Sequence, residues 1–214
     1  MTERPKKKID MMSEEELDAR HAEKMRRKKE SRDKIVATKT KEKGLLIVHT
    51  GKGKGKSTAA FGIVFRALGH GFNIGVVQFV KGAWNTGERD VLAKFPDQVT
   101  IKAMGEGFTW ETQDRQRDIA AASQAWEEAK RMIADPEVQL VLLDELNIVL
   151  RYGYIDLDEV VEVLSAKPEM KHVIVTGRNA KDEIIEIADL VTEMTQIKHP
   201  YRDQGVKAQV GIEF

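Results

Sequence analysis

The 214-residue sequence contains no cysteine. A disulfide framework, a thiolate zinc site and a cysteine nucleophile are therefore excluded at once. Near its start there is no apolar stretch of about 7–15 residues, the mark of a secretory signal, and nowhere a run approaching the roughly 20 apolar residues that span a bilayer. These absences predict a soluble, cytoplasmic protein with no membrane partner. Net charge is missing as well, but the zero hides an asymmetry. Of the 35 Lys/Arg and 35 Asp/Glu residues, 15 and 10 fall within residues 1–43, so this segment carries +5 and the remainder −5.

What is present divides at the same place. Residues 1–43 hold few large apolar side chains, too few to offset the entropy of ordering a chain on its own. Ser13 followed by Glu16 nevertheless has the spacing of a capping box, and Leu17, His21 and Met25 follow at i,i+4 intervals. The pattern predicts a charged, conditionally helical extension; a solvated basic tail is the plainer alternative. From Gly44 onward, apolar runs at Leu45–Val48, Ile74–Val80, Leu140–Leu143 and Val173–Val175 alternate with helical stripes. One stripe is Ile119, Ala122, Trp126, Ala129 and Ile133, stopped by Asp135-Pro136; another is Leu157, Val160, Val161 and Leu164. Unalternated apolar runs mark strands buried on both faces, so residues 44–214 are expected to form one α/β domain around a mainly parallel sheet, with ligands beyond the carboxyl ends of its strands.

The first run ends in His49-Thr50 and is followed by Gly51-Lys52-Gly53-Lys54-Gly55-Lys56-Ser57-Thr58 and a helical segment from Ala59 to Arg66. A strand, a glycine-rich turn ending in Gly-Lys-Ser and a helix is the setting of a phosphate-binding loop. Glycines let backbone N–H groups turn toward an anion, and the helix adds its positive end. Lys56 would reach the outer phosphates and the Ser57 hydroxyl would ligate Mg²⁺. The strict pattern G-x-x-x-x-G-K-[ST] requires glycine at position 50, where this chain has Thr50. A loosely anion-binding lysine-rich turn is the bland alternative, and the flanking strand and helix speak against it.

The run Leu140-Val141-Leu142-Leu143 ends in Asp144-Glu145, which makes both acids candidates for contact with the metal; Asp144 could otherwise cap a helix over Leu146–Arg151. Neither a water-positioning group nor an arginine with a diagnostic setting is evident among Arg89, Arg178 and Arg202. The five histidines are scattered and suggest no catalytic triad. A P-loop with an acidic strand end defines nucleotide binding but not the reaction.

Longer segments narrow the choice. Val48 to Gly62, Gly75 to Gly82, Gly87-Glu88-Arg89, Gly107-Phe108-Thr109-Trp110, Leu142 to Leu146, Val175-Thr176-Gly177-Arg178 and Gly205 to Ile212 resemble, in order and spacing, the P-loop type of corrinoid (cob(I)alamin) ATP adenosyltransferase. Thr50 looks like that family's own variant of the loop. The resemblance implies a P-loop NTPase domain of RecA-like type. It also implies transfer of the 5′-deoxyadenosyl group of ATP to the Co(I) of a reduced corrinoid, cobalamin or a precursor, with triphosphate as leaving group. Thr50 to Thr58 would bind the nucleotide, Lys56 would stabilise the leaving group, and Ser57 with Glu145 or Asp144 would hold Mg²⁺. Cobalt is itself the nucleophile, so no protein nucleophile or general base is required.

The resemblance further assigns Phe108 and Trp110 to displacement of the lower axial ligand of the Co(II) corrinoid, and their glycine-rich surroundings read as a loop. It implies a homodimer whose N-terminal helix closes over the active site; separately, the +5 charge of this segment could attract an acidic electron-donating flavoprotein or the corrinoid's phosphate. A competing expectation is a P-loop ATPase acting as a nucleic-acid or assembly factor, with the basic segment as its nucleic-acid arm. A metabolite kinase, which would yield ADP, is a further alternative.

Overall fold

A computed structural model of the chain describes residues 12–80, 86–104 and 114–213. It forms two compact units, one ending at Glu42 and the other beginning at Lys43. The described residues of the first contain a single helix, α1 (Glu14–Ala37), whose N-cap Ser13 accepts from the Glu16 amide while the Glu16 side chain accepts from the Ser13 amide. The capping box read from the sequence is therefore formed. No described residue of α1 is buried within its unit.

The second unit is built on six parallel strands: β1 (Leu46–Thr50), β2 (Ile74–Gln78), β3 (Val99–Ala103), β4 (Leu140–Asp144), β5 (His172–Thr176) and β6 (Leu190–Glu193). They lie in the order β3-β2-β4-β5-β1-β6. The described helices are α2 (Lys56–Gly69), α3 (Gly87–Leu92), α4 (Arg115–Ala134), α5 (Leu146–Arg151), α6 (Leu157–Ser165), α7 (Asp182–Ile187) and α8 (Pro200–Gln204). This is the α/β architecture with a parallel sheet expected from the alternation of runs and stripes.

The central strands are apolar up to their carboxyl ends because helices cover both faces. Val48, Val77, Val141, Leu143, Val173 and Val175 pack with Trp126, Ala129 and Ile133 of α4 and Leu164 of α6. The alternate residues Ile47, Val76, Leu140, Leu142 and Ile174 pack with Phe61 and Val64 of α2. Alternating side chains thus serve two cores, which removes the period-two signal. The edge strands behave differently. β3 alternates a buried Val99 with exposed Thr100 and Lys102, and all of β6 is exposed. Neither presents an uninterrupted apolar run, and neither was expected from the sequence.

Local signals fix the helix ends. Asp114 caps α4 by accepting from the amides of Gln116 and Arg117, and Asp156 caps α6 in the same way from Asp158 and Glu159. The buried stripe of α4 is Ala122, Ala125, Trp126, Ala129, Met132 and Ile133, close to the expected one. Near the boundary between units, Lys43 pairs with Asp189 and the Gly44 amide donates to Glu169 O.

Candidate active site

Parallel strands bring their carboxyl ends to one edge. In register, Gln78 lies beside Asp144, and the pairs Leu143–Val175 and His49–Thr176 place Asp144, Thr176 and Thr50 on that edge. The loop over residues 51–55 leaves β1 there and enters α2, and β5 separates β1 from the acidic strand β4.

The loop's shape is imposed by the end of β6. Met194 N–H donates to Thr50 O (2.9 Å), and the Gly53 amide donates to Met194 O (2.6 Å). A Cβ at Gly51 would stand 2.5 Å from Met194 O, and one at Gly53 2.7 Å from the same atom. Gly51 and Gly55 also carry φ values of +97° and +102°, which only glycine adopts without strain. The sequence suggests amides turned toward an anion, whereas the Gly53 amide is committed to Met194. Thr50 earns its place differently from the glycine it replaces: its buried hydroxyl accepts from Ala180 N–H at 3.0 Å and ties the loop to the segment after β5.

Lys56 is the first residue of α2 and is 7% exposed, its ammonium donating to Gly53 O at 2.5 Å. Burial pushes its pKa down, opposed by the negative charge of Glu145. The buried His49 ring donates from Nδ1 to Lys56 O at 3.2 Å, a structural role consistent with the expectation for the histidines. Lys54 points elsewhere and pairs with Glu213. Ser57 is half-buried in the first turn of α2, and Lys52 and Thr58 are exposed.

The two acids differ sharply. Asp144 is buried and both its oxygens are engaged: Oδ1 accepts from Thr176 Oγ1 at 2.8 Å and Oδ2 from Gln78 Nε2 at 3.2 Å. Glu145 has a left-handed backbone (φ 63°, ψ 21°), and its Oε2 is buried with no hydrogen-bond partner among the described residues. Burial, reinforced by the charge of Asp144, pushes its pKa up to about 7 against the opposing pull of Lys56 and Arg178. The cap of α5 is Glu145, without a side-chain bond, so the alternative that Asp144 caps this helix is corrected. Arg178, which had no diagnostic setting in the sequence, is exposed but close enough for Lys56 and Glu145 to feel its charge. Thr176, Gln78 and Met194 were not singled out as site residues; for Thr176 and Gln78 the visible signal was a polar residue closing an apolar run, and Met194 carried none. Phe108 and Trp110 lie outside the described residues, as do Lys81 and Gly82.

A buried carboxylate oxygen lacking a donor, beside a lysine at the mouth of a glycine-rich loop, is a setting for a metal-bound polyphosphate. No three His, Cys, Asp or Glu side chains gather as a metal cage among the described residues.

Comparison with known proteins decides among nucleotide chemistries. The family described as ATP:corrinoid adenosyltransferase BtuR/CobO/CobP matches residues 42–214, and the cob(I)alamin adenosyltransferase N-terminal family matches residues 11–36. The chain belongs to the corrinoid adenosyltransferase family. Related corrinoid adenosyltransferases include one from Sinorhizobium sp, 61% identical over 94% of each chain. Another, from Pseudomonas aeruginosa, is 56% identical over 93% of this chain and 98% of its own. A third, from Escherichia coli K12, is 48% identical over 92% and 99%. As a corrinoid adenosyltransferase the chain carries out ATP-dependent adenosyl transfer to a corrinoid, a step of cobalamin synthesis, and the nucleic-acid or assembly reading is not favoured. No described helix is long and apolar enough to cross a membrane.

Proposed function

We propose that adenosyl transfer takes place at the carboxyl edge of the sheet, with the loop from Thr50 to Thr58 binding the triphosphate of ATP and Lys56 meeting the charge that develops as it leaves. The observation that carries this reading is the buried Oε2 of Glu145, which has no hydrogen-bond partner among the described residues and lies within reach of the Lys56 charge. Glu145 and the Ser57 hydroxyl fit as the protein's ligands for Mg²⁺. When bound, the ion neutralises phosphate charge. Asp144 is already fully hydrogen-bonded and supports the site from behind.

The substrate's Co(I) attacks C5′ of ATP; a carbon–cobalt bond forms and the C5′–O bond breaks, leaving triphosphate. The protein's tasks are to hold C5′ in line with cobalt and to stabilise the leaving group. Lys56, with its ammonium destabilised by burial, gains most from a polyanion, because the charge it faces offsets the cost of desolvation. Phe108 and Trp110 are assigned to the corrin face, where an apolar wall excludes an axial donor. The homodimer, closure of α1 over the site and reduction by an acidic flavoprotein belong to the same proposal.

The test is the identity of the product. Incubated with MgATP and chemically reduced cobalamin, the protein is expected to release intact triphosphate and form the carbon–cobalt bond, and Lys56→Ala to lower the rate at least about a hundredfold. Orthophosphate or ADP as the sole phosphate product would refute the assignment.

A further inference from the structure

Glu145 and Asn179 are the non-glycine residues with left-handed backbones among those described. Such a conformation is strained and persists only where its surroundings hold it. At Glu145 the holder is Thr176. The Glu145 amide donates to Thr176 Oγ1 at 2.9 Å, while the Glu145 carbonyl accepts from Ile148 N–H at 3.0 Å. Thr176 is 0% exposed, and its one hydroxyl proton goes to Asp144 Oδ1 at 2.8 Å, so the same oxygen is oriented to receive the Glu145 amide. Gln78 Nε2 closes the series on Asp144 Oδ2 at 3.2 Å. Four residues at the ends of three neighbouring strands thus form one network whose donors converge on the Asp144 carboxylate, with the Thr176 hydroxyl between it and the Glu145 amide.

The next residue encloses the carboxylate. A Cβ at Gly177 would stand 3.1 Å from Glu145 Oε2 and 2.8 Å from Asn147 Cβ. The Asn147 amide in turn donates to Gly177 O at 3.2 Å. Thr176 therefore sets the backbone of Glu145, and the exit of β5 confines its side chain.

We propose that Thr176 is a positioning residue, its hydroxyl relaying the fixed geometry of Asp144 to the Glu145 backbone so that the Glu145 carboxylate is aimed at the metal ion of the bound nucleotide. This rests on the assignment of Glu145 as a metal ligand. A purely structural threonine would affect folding; a positioning one affects the part of nucleotide affinity that depends on metal. ATP binding to the full chain is therefore measured by calorimetry without corrinoid, once with Mg²⁺ and once with chelator.

For Thr176→Val the strengthening of ATP binding by Mg²⁺ is expected to fall about tenfold, as for other residues that orient a metal ligand, with chelated ATP binding unchanged. Thr176→Ser, which keeps the hydroxyl, is expected to restore it. A folded Thr176→Val protein with undiminished Mg²⁺ strengthening would overturn the proposal. So would equal losses with and without the metal. Glu145→Gln separates the two layers. If it loses the Mg²⁺ effect and Thr176→Val does not, only the positioning role fails; if it keeps the effect, the ligand assignment fails and the positioning role with it. Should Thr176→Val not fold, Gln78→Leu removes the other partner of Asp144. A metal-dependent loss of about threefold is then expected, and no loss counts against the relay.

Discussion

The helices α1 and α4 are the two longest described in this chain, and they are stabilised by opposite means. α1 runs for 24 residues with none buried in its unit, whereas α4 runs for 20 and buries six, among them Trp126 at 2% exposure. The first relies on its capping box, on Glu14, Glu15 and Glu16 in its first turn, and on the pairs Glu23–Arg27 and Arg26–Glu30. Each exposed pair contributes a few tenths of a kcal/mol at most, so a helix of this kind is marginal by itself. The second relies on packing against the sheet. The contrast teaches that the chain contains one element defined by local chemistry and another defined by its place in a core, and the proposed closure of the site by α1 draws on the first kind because a marginal helix costs little to rearrange.

Four measurements would break or sharpen this contrast. Truncating the core of α4 with Trp126→Ala is expected to destabilise the body by about 3–5 kcal/mol in chemical denaturation, while Met25→Ala in α1 changes the same transition by less than about 0.5 kcal/mol. Comparable effects would abolish the distinction. Removing residues 1–42, a cut that retains the Lys43–Asp189 pair, is expected to leave the unfolding midpoint and ATP affinity of the body in place while corrinoid turnover falls at least about tenfold. Full turnover by the truncated chain would detach α1 from catalysis.

Ser13→Ala is expected to cost α1 about 1 kcal/mol, read as lost helical signal in circular dichroism with an unchanged midpoint for the body. The smallest effect belongs to pH. His172 Nδ1 accepts from Leu45 N–H at 3.1 Å, which requires that nitrogen unprotonated, and burial followed by the charge of Lys167 pushes the ring's pKa down. The unfolded chain binds the proton more readily. The contribution is therefore complete above a pH of about 6.5 and is lost as pH falls below that value toward the folded pKa. His172→Asn, whose side-chain oxygen can accept from Leu45, is expected to flatten the acid limb of stability plotted against pH; an unaltered limb would place the sensitivity elsewhere.

Much of this was legible before any coordinates. The four inner strands announced themselves because both of their faces are apolar, and the stripes of α4 and α6 because one side of each helix meets the sheet. β3 and β6 escaped notice because an edge strand buries one side chain in two or none, which looks like a loop in a single sequence. At the candidate site, Lys56 and Ser57 were nominated by the glycine-rich motif and the acid pair by its place at the end of an apolar run. Spacing could not divide the work of Asp144 and Glu145, since that depends on Thr176 and Gln78, which are 32 and 66 residues away from Asp144 in the chain.

The sequence by itself therefore determined the class of fold, the glycine-rich loop between β1 and α2, the capped N-terminal helix and the family, because each rests on periodicity or on residues adjacent in the chain. Tertiary structure alone decided which acid keeps a free oxygen, why Gly51 and Gly53 must be glycines and what Thr50 does in the loop. Those outcomes arise where separate strand ends meet, as Met194 crowds the loop and Ala180 reaches the Thr50 hydroxyl. Hydrogen-bond partners and close approaches between distant segments are properties of the packed sheet, and no local pattern encodes them.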